Sequence, residues 1–437
     1  MTVANRTSPD VPSTGEIGSP IADYPDLWGY YDQLRELGDV VWDDTTGAWL
    51  ATSYEACREI ARGENDVWEV YPVPGSGDAM PGGLDEDTWQ ELTSLGSSRV
   101  LPLGPQHAEQ HRWWMRLFTP RIVKTWQEEL IRPICHAQID RFEATGRADL
   151  VADYAGRIAP RVLLRLMGLP DVDETFTEHL TDLFAKRDRA RQPIFAAAGH
   201  VDRESIAPAL AAVDELRETL REIVLSRRDG KGDDLISALW RDAEQVFGPG
   251  WNEGDVIGMA VLIWDAGAGT TIYSTANGLH MLLTRPDLRK RVTAEPGLLP
   301  NLIEESLRMY GPAVINRTRI ARKDFEFRGV QIRTDDLITP IYGAANHDLS
   351  HYPNGNEIDL EREAPRDHLS FGTGPRSCIG QAIARQELDD SIAVLLERLP
   401  DIELDPDAEP PRYGHGIGLR LWRPLNVRFE PRSSSSN

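Results

Sequence analysis

The stretch from His368 to Gln381, "HLSFGTGPRSCIGQ", surrounds one cysteine with three glycines and places an arginine two residues before it. Glycine lets a backbone make turns and close approaches that a Cβ atom would prevent. The stretch therefore predicts a tight loop that holds Cys378 in place. A nucleophile, a metal ligand and a structural turn all compete as roles for a cysteine in such a loop.

The rest of the sequence supports few of the usual cysteine chemistries. A zinc site needs about four ligands at close spacing, and three cysteines in all, Cys57, Cys135 and Cys378, are too few for a four-cysteine iron–sulfur site. A phosphate loop would end in Gly-Lys-Ser/Thr, which is missing. A nucleophile needs a general base, and nothing marks the nearest histidine, His368, as one. A purely structural turn would not explain the glycines.

A thiolate that serves as the axial ligand of a haem explains more of the loop. The glycines would let the backbone approach a flat macrocycle closely, and Phe371 would shield the sulfur. The segment from Gly380 onward is predicted to be helical, and the positive N-terminal end of a helix favours a thiolate. Arg376 would reach a haem propionate.

The segment "FGTGPRSCIG" resembles the cysteine loop of the cytochrome P450 superfamily, Phe-Gly-x-Gly-x-Arg/His-x-Cys-x-Gly. Glu305 and Arg308 resemble the family's Glu-x-x-Arg pair, and "AGAGTT", residues 266–271, resembles its oxygen-groove motif. The segment "HAEQHRWWMRLFTP", residues 107–120, is similar to its second haem-contacting helix. The order and spacing of these motifs hold from about Tyr24 to Phe429.

This resemblance implies a mainly α-helical, triangular fold with a small β-rich subdomain. Haem b would lie between the long central helix and the helix after the cysteine loop. Cys378 would ligate the iron, and His107, His111, Arg319 and Arg376 would contact the propionates. A thiolate ligand pushes electron density toward the iron and favours O–O cleavage.

The implied activity is insertion of one oxygen atom from O2 into a small or medium apolar molecule, for which we expect an aromatic or terpenoid compound. The chain is too short to include a fused reductase, so electrons from NAD(P)H would arrive through a separate ferredoxin and ferredoxin reductase. Arg112, Arg116, Arg121 and Lys124 form either a basic dock for an acidic ferredoxin or a solvated face.

The long helix predicted from Asn252 to Thr284 departs from the family pattern at its centre. The family usually carries Asp or Glu before the threonine of the groove motif, but here Gly269 precedes Thr270. We expect water and Thr270 to relay protons. Asp265, one turn earlier, is the second candidate. The third is a peroxide-driven or non-hydroxylating oxidation, such as demethylation or coupling.

Two other features of this central helix and its surroundings leave alternatives open. Each glycine in a helix costs about 1 kcal/mol relative to alanine, so the motif either borders a ligand or packs closely against another helix.

His111 stands where the family often has arginine, with Arg112 next to it, and Arg317 is an alternative to Arg319. A haem protein that senses a ligand without turnover is the hypothesis from another class.

Composition excludes several kinds of partner. Lys and Arg total 47 and Asp and Glu total 70, which gives a net charge of −23 and argues against nucleic acid and anionic membranes. No apolar run approaches the roughly 20 residues that span a bilayer, and the N-terminus lacks the apolar core of a signal peptide. The few, widely spaced cysteines indicate a reducing cytoplasm. We expect a cytoplasmic monomer.

The chain is predicted to form one domain, residues 21–432, between a disordered lead, residues 1–20, and a disordered tail, residues 433–437. Helical periodicity covers residues 27–37, 127–145, 206–227 and 381–399, and hairpins are predicted at 40–52 and 324–332. The Pro- and Gly-rich stretch 71–87 is either a lid or a surface insertion. By resemblance, substrate contacts come from this stretch, 184–195, the long helix, 313–316 and 415–418.

Overall fold

The computed structural model describes residues 11–20, 24, 26–63, 66–70, 87, 105–169, 174–195, 203–414 and 419–432. Helices dominate these residues and the strands are short, which confirms the predicted mainly helical fold with small β-sheets. The predicted stretches 71–86 and 415–418 lie outside the described residues.

The first helices in chain order are α1 (Leu27–Leu37), α2 (Tyr54–Arg62), α3 (Pro105–Leu117), α4 (Pro120–Trp126), α5 (Arg132–Asp140), α6 (Gly156–Leu166) and α7 (Glu174–Phe195). The later ones are α8 (Arg203–Ser226), α9 (Leu235–Phe247), α10 (Glu253–Thr284), α11 (Pro286–Ala294), α12 (Leu299–Tyr310), α13 (Tyr342–Asn346) and α14 (Gln381–Arg398). Short π-helical turns lie at Gln127–Ile131 and Leu150–Ala155.

The strands are β1 (Val40–Asp43), β2 (Ala48–Ala51), β3 (Trp68–Val70), β4 (Arg147–Asp149), β5 (Arg319–Ala321) and β6 (Phe325–Phe327). They continue with β7 (Val330–Ile332), β8 (Leu337–Pro340), β9 (Glu403–Leu404), β10 (Arg412–Gly414), β11 (Leu421–Arg423) and β12 (Asn426–Arg428). The largest sheet has the order β1-β2-β8-β5-β3. Both predicted hairpins form, β1 with β2 and β6 with β7.

Helix α10 crosses the core, as its apolar sequence predicts. Asn252 caps it with a capping box, in which its side chain accepts from Asp255 N and the Asp255 carboxylate accepts from Asn252 N. The helix ends at Thr284, two residues before Pro286, which cannot continue it. By length and hydropathy it could also span a bilayer, but 56% of its most apolar window is buried inside the protein, as in a core helix.

The predicted helix 127–145 is interrupted near its start. A π-helical turn occupies Gln127–Ile131, and the Arg132 N–H donates to Gln127 O, five residues back. Pro133 follows and has no N–H to donate. The wide turn therefore comes where a regular α-helical hydrogen bond is lost, and α5 continues from Arg132 to Asp140.

The N-terminal segment 11–20 packs against the large sheet, although the sequence places it in the disordered lead. The carboxylate of Asp43, at the end of β1, accepts hydrogen bonds from Thr14 Oγ1 at 2.8 Å and from Ser19 Oγ at 2.7 Å. All three side chains are buried. Asp43 therefore ties this part of the lead to the domain, an interaction between polar residues that hydrophobic patterning does not reveal.

Candidate functional site

The loop around Cys378 is a pair of 3-10 turns, Leu369–Phe371 and Gly374–Arg376, that leads into α14. The Cys378 N–H donates to the Phe371 carbonyl at 2.8 Å and closes the loop. Gly372 and Gly374 have φ angles of +67° and +75°, which favour glycine. A Cβ atom at Gly374 would also lie 2.9 Å from the carbonyl oxygen of Ala61 in α2. This glycine thus serves the turn and its packing on α2.

Cys378 is half-buried, whereas the other two cysteines, Cys57 and Cys135, are fully buried. Burial raises the pKa of the Cys378 thiol, while a hydrogen bond from the Gly380 N–H and the charge of Arg385 lower it. The pKa of Cys135 is raised to about 12, chiefly by burial. Of the three thiols, Cys378 is the one that combines access with groups that favour a thiolate.

Helix α3 brings two histidines to the cysteine loop. His107 Nε2 lies 3.3 Å from Arg376 Nη1, and burial, Arg376 and His111 lower the pKa of His107 to about 4. A neutral His107 can accept a hydrogen bond from the guanidinium. His111 Nε2 lies 2.9 Å from the carbonyl oxygen of Ser377, the residue before Cys378. The structure therefore joins three predicted residues, His107, His111 and Arg376, at one place.

Arg319 occupies the first position of β5 and is buried, with 4% of its surface exposed. Its guanidinium donates to Asn316 Oδ1 at 3.4 Å and to the Arg317 carbonyl. The alternative residue, Arg317, is exposed. A residue that contacts a buried ligand is expected to be sheltered from solvent. Of the two arginines, only Arg319 meets this expectation.

One face of α10 is open at its centre. Ala266 is exposed, and Gly269 and Thr270, three and four residues later on the same face, are half-buried. A Cβ atom at Gly269 would meet no described heavy atom within 4 Å. The Thr270 hydroxyl donates to the Ala266 carbonyl at 2.7 Å. Gly267 differs, because its Cβ would lie 3.1 Å from Leu163 of α6. The motif thus contains both an open groove and a close helix contact.

Asp265 forms an ion pair with Arg187 of α7. The Arg187 side chain is 2% exposed and the Asp265 side chain is 28% exposed. The Arg187 guanidinium also lies 5.1 Å from the ring centre of Phe184, which stacks on Trp264 at 4.5 Å. Sequence analysis missed Arg187, because it lies in the arginine-rich stretch "AKRDRARQ", where no local pattern distinguishes one arginine from the next.

A cleft of about 530 Å³ opens beside the cysteine loop, between α4, α14 and the start of α12. Ile379, next to Cys378, contributes to its wall, together with Glu304, Arg366 and Arg385. The four basic residues predicted as a dock are all exposed on α3 and α4, and they are Arg112, Arg116, Arg121 and Lys124. Of these four, Lys124 is the one that also lines the cleft, next to Arg366 and Arg385 and to the acidic Glu304 and Asp389.

Comparison with known proteins agrees with this geometry. A cytochrome P450 family profile matches residues 175–426. The chain is 30% identical to mycinamicin IV hydroxylase/epoxidase of Micromonospora griseorubida over 85% of this chain and 87% of that protein. It is 31% identical to cytochrome P450 monooxygenase PikC of Streptomyces venezuelae over 91% and 89%.

Solved structures show the same fold. The epothilone B-bound cytochrome P450epoK superposes with a TM-score of 0.79 and 24% identity, over 95% of this chain and all of the other (100%). P450BioI, solved in complex with a hexadec-9Z-enoic acid-ligated acyl carrier protein, gives a TM-score of 0.78 and 25% identity over 92% and 98%. The chain therefore belongs to the cytochrome P450 family, a family of haem-containing oxidoreductases.

Proposed function

We propose that the protein is a monooxygenase that inserts one oxygen atom from O2 into a small or medium apolar molecule, with haem b ligated by Cys378. The placement of Cys378 carries the proposal. Its half-buried thiol lies in a glycine-rich loop just before the first residue of α14. The haem supplies O2 activation when it is bound. The chain's own residues hold the cofactor, position the substrate and supply protons.

The residues around Cys378 fit a haem. The Gly380 N–H and the N-terminal end of α14 stabilise the thiolate that ligates iron. Open space beside Gly269 gives a macrocycle or a substrate room against α10. We assign propionate contacts to His107, Arg319 and Arg376, because they are sheltered polar groups. His111 is predicted to contact a propionate too, and its hydrogen bond to Ser377 also lets it fix the cysteine loop.

We assign proton transfer to Thr270 acting with water. Gly269 has no side chain that could carry a proton, and the Thr270 hydroxyl borders the open face of α10. This hydroxyl donates to Ala266 O, so its own oxygen can still accept a hydrogen bond from water. Asp265 is the second candidate, because its carboxylate would have to leave the buried Arg187 to take part.

Small and apolar residues favour an apolar substrate. Ala266 and Gly269 leave space on α10, and the segment Ala313–Ile315 adds apolar side chains, with Ala313 bridged to the partly exposed Leu419. We propose an aromatic or terpenoid compound of secondary metabolism. A relative named for mycinamicin IV and a structural neighbour bound to epothilone B support secondary metabolism as the source of the substrate.

The first test is an absorption spectrum. The purified ferric protein, titrated with aromatic and terpenoid compounds, should show a thiolate haem spectrum that moves toward high spin with those that bind. Cys378→Ser should lose the thiolate Soret band of the carbon-monoxide complex, and Cys57→Ala, at a buried cysteine, should keep it. A Cys378→Ser protein with an unchanged Soret band would overturn the ligand assignment.

Turnover separates the enzyme from a ligand sensor. With a ferredoxin, its reductase and NADH, a compound that shifts the spectrum should also be oxidised over many cycles. A spectral shift without product would support the sensor. Because Gly269 replaces the usual acid, peroxide-driven oxidation is a second candidate. Product formation with hydrogen peroxide alone, at a rate that the ferredoxin system does not exceed, would favour it.

We further propose that a monomer acts in the cytoplasm and receives electrons from an acidic ferredoxin at the basic surface of α3 and α4. Arg116→Glu reverses one exposed charge there and should slow electron transfer from ferredoxin several-fold, with a loss of its salt dependence. Lys231→Glu, at an 83% exposed lysine between α8 and α9, is the matched control and should leave the rate unchanged. Equal rates in the two variants would exclude Arg116 from the dock.

A further inference from the structure

A cation stacks against the cysteine loop. The guanidinium carbon of Arg385, in α14, lies 4.4 Å from the centre of the Phe371 ring. Phe371 belongs to the loop, because its carbonyl accepts the Cys378 N–H at 2.8 Å. Arg385 therefore contacts the ring of the residue whose carbonyl holds Cys378 in the loop.

Glu304 of α12 fixes this cation. Its carboxylate oxygens accept from Arg385 Nε at 2.6 Å and from Arg385 Nη2 at 3.1 Å, in a two-pronged geometry that suits a planar guanidinium. The Glu304 side chain is 4% exposed and that of Arg385 is 16% exposed. His368 Nε2, at the start of the same loop, lies 3.0 Å from Glu304. The carboxylate thus joins both ends of the loop segment 368–385.

We propose that Arg385 is a positioning residue for Cys378. Its guanidinium supports the Phe371 ring and raises the reduction potential of the thiolate-ligated iron. The inference rests on the proposed function, because it assumes that Cys378 binds the iron. The proposed reaction supplies the electron: one electron from the ferredoxin would reduce ferric to ferrous iron, and the ligated centre would gain one negative charge. A nearby cation in a partly buried site stabilises the more negative state.

The chain offers a matched control for this effect. Arg366 also contacts Glu304, at 3.3 Å, and lines the same cleft, but its side chain is 71% exposed. The described contacts do not place its guanidinium on the Phe371 ring. Removing Arg366 or Arg385 deletes the same charge from the same network, so the two variants differ in their relation to the loop. Glu304 keeps His368 as a partner in both cases.

The test is the midpoint potential of the full-length haem protein. Arg385→Gln should lower the potential, and Arg366→Gln should shift it much less. Arg385→Lys keeps the charge without the planar stack and should lie between Arg385→Gln and the parent. Equal potentials in the parent and Arg385→Gln, or equal shifts in the Arg385→Gln and Arg366→Gln proteins, would overturn the proposal. If Arg385→Gln fails to bind haem, Arg385→Lys, which keeps a partner for Glu304, should still show a lower potential than Arg366→Lys, and equal potentials in those two proteins would overturn the proposal.

The carbon-monoxide complex distinguishes this inference from the proposed function. If the parent protein lacks the thiolate Soret band, the assignment of Cys378 as iron ligand fails and the inference fails with it. If the band is present in the parent and in all variants but the potentials coincide, only the role of Arg385 fails. A stacking role further predicts that the band of Arg385→Gln converts more readily to the thiol form than that of Arg366→Gln.

Discussion

Two glycines on α10, Gly267 and Gly269, have different surroundings. Gly267 brings α6 within contact distance of α10, since a Cβ there would lie 3.1 Å from Leu163. Gly269, two residues on, borders open space. Alanine at the first position would press on a packed neighbour, and at the second it would fill part of the groove. Two glycines that look equivalent in the sequence therefore have separate consequences for stability and for ligand binding.

Thr270 provides the sharpest prediction at this scale. Thr270→Ala removes the hydroxyl that borders the groove, so protons should reach the bound oxygen less directly. We expect product formed per NADH to fall several-fold while peroxide release rises. Both quantities are measured together with the ferredoxin system.

Thr271 supplies the control for this prediction, because it is adjacent in sequence but buried on another face of the helix. Thr271→Val keeps the size of the side chain and removes its hydroxyl. It should retain the coupling of the parent. If Thr270→Ala also retained that coupling, Thr270 would not be the relay, and Asp265 would become the first candidate.

Among the elements, α12 is anchored by a buried ion pair. Glu305 and Arg308 have fully buried side chains (0% exposed), and Arg308 Nε and Nη2 donate to the two carboxylate oxygens at 2.8 and 2.9 Å. The guanidinium also donates to carbonyl groups of Asn346, Gly355 and Glu357. The three-residue spacing of Glu305 and Arg308 therefore forms a buried pair that fixes the architecture around α12, and not a solvent-exposed surface pair.

We expect Arg308→Lys to destabilise the protein strongly, because one ammonium group cannot replace the planar fork that meets the carboxylate and the three carbonyls. Removal of one charged partner from a buried pair costs about 3–5 kcal/mol, and Arg308→Lys, which keeps the charge but loses most of these hydrogen bonds, should cost up to that amount. The denaturant midpoint of haem-bound protein measures the change. Arg217→Lys, in an exposed pair with Asp214 on α8, should cost less than about 1 kcal/mol. A shared midpoint for the two variants would show that the α12 pair does not anchor the fold.

Elements with local signals were predictable from the sequence. Helix α1 has the predicted bounds, Leu27–Leu37, and α10 follows its cap at Asn252. The cysteine loop was recognisable because its residues are contiguous. The pairs Arg187–Asp265, Glu304–Arg385 and His111–Ser377 were not, since each joins residues more than 70 positions apart. Periodicity and capping describe one element at a time, so contacts between elements need the fold.

For the whole molecule, buried ionisable groups control how stability varies with pH. Burial lowers the pKa of His280 and of His347 from 6.5 to about 4. Burial, and secondarily Asp390, raise the pKa of Glu387 on α14 from 4.5 to about 8. Glu387 is 3% exposed, and its Oε2 has no hydrogen-bond partner among the described residues. The charge of ionised Glu387 also raises the pKa of the nearby Cys135 on α5.

These shifts act in opposite directions. Between pH 4 and 6.5 the two histidines bind more protons in the unfolded chain, so stability rises with pH. Between pH 4.5 and 8 Glu387 binds its proton in the folded state and loses it on unfolding, so its contribution falls as pH rises. Above pH 6.5 the histidine effect levels off within about one pH unit, whereas the Glu387 effect continues to pH 8. The free energy of unfolding should therefore peak near pH 6.5 and decline toward pH 8.

Glu387→Gln tests this account, because the amide keeps the size of the side chain and does not ionise. Between pH 6.5 and 8 the titration of Glu387 should remove about 1.5 kcal/mol of unfolding free energy from the parent, partly offset by the end of the histidine titration, and the variant should lack this loss. Glu397→Gln, at a 64% exposed position of the same helix, should follow the parent. Denaturant titrations across this pH range measure all three proteins. A decline in Glu387→Gln as steep as in the parent would assign the alkaline limb to other groups, because histidine and cysteine titration is common to both proteins.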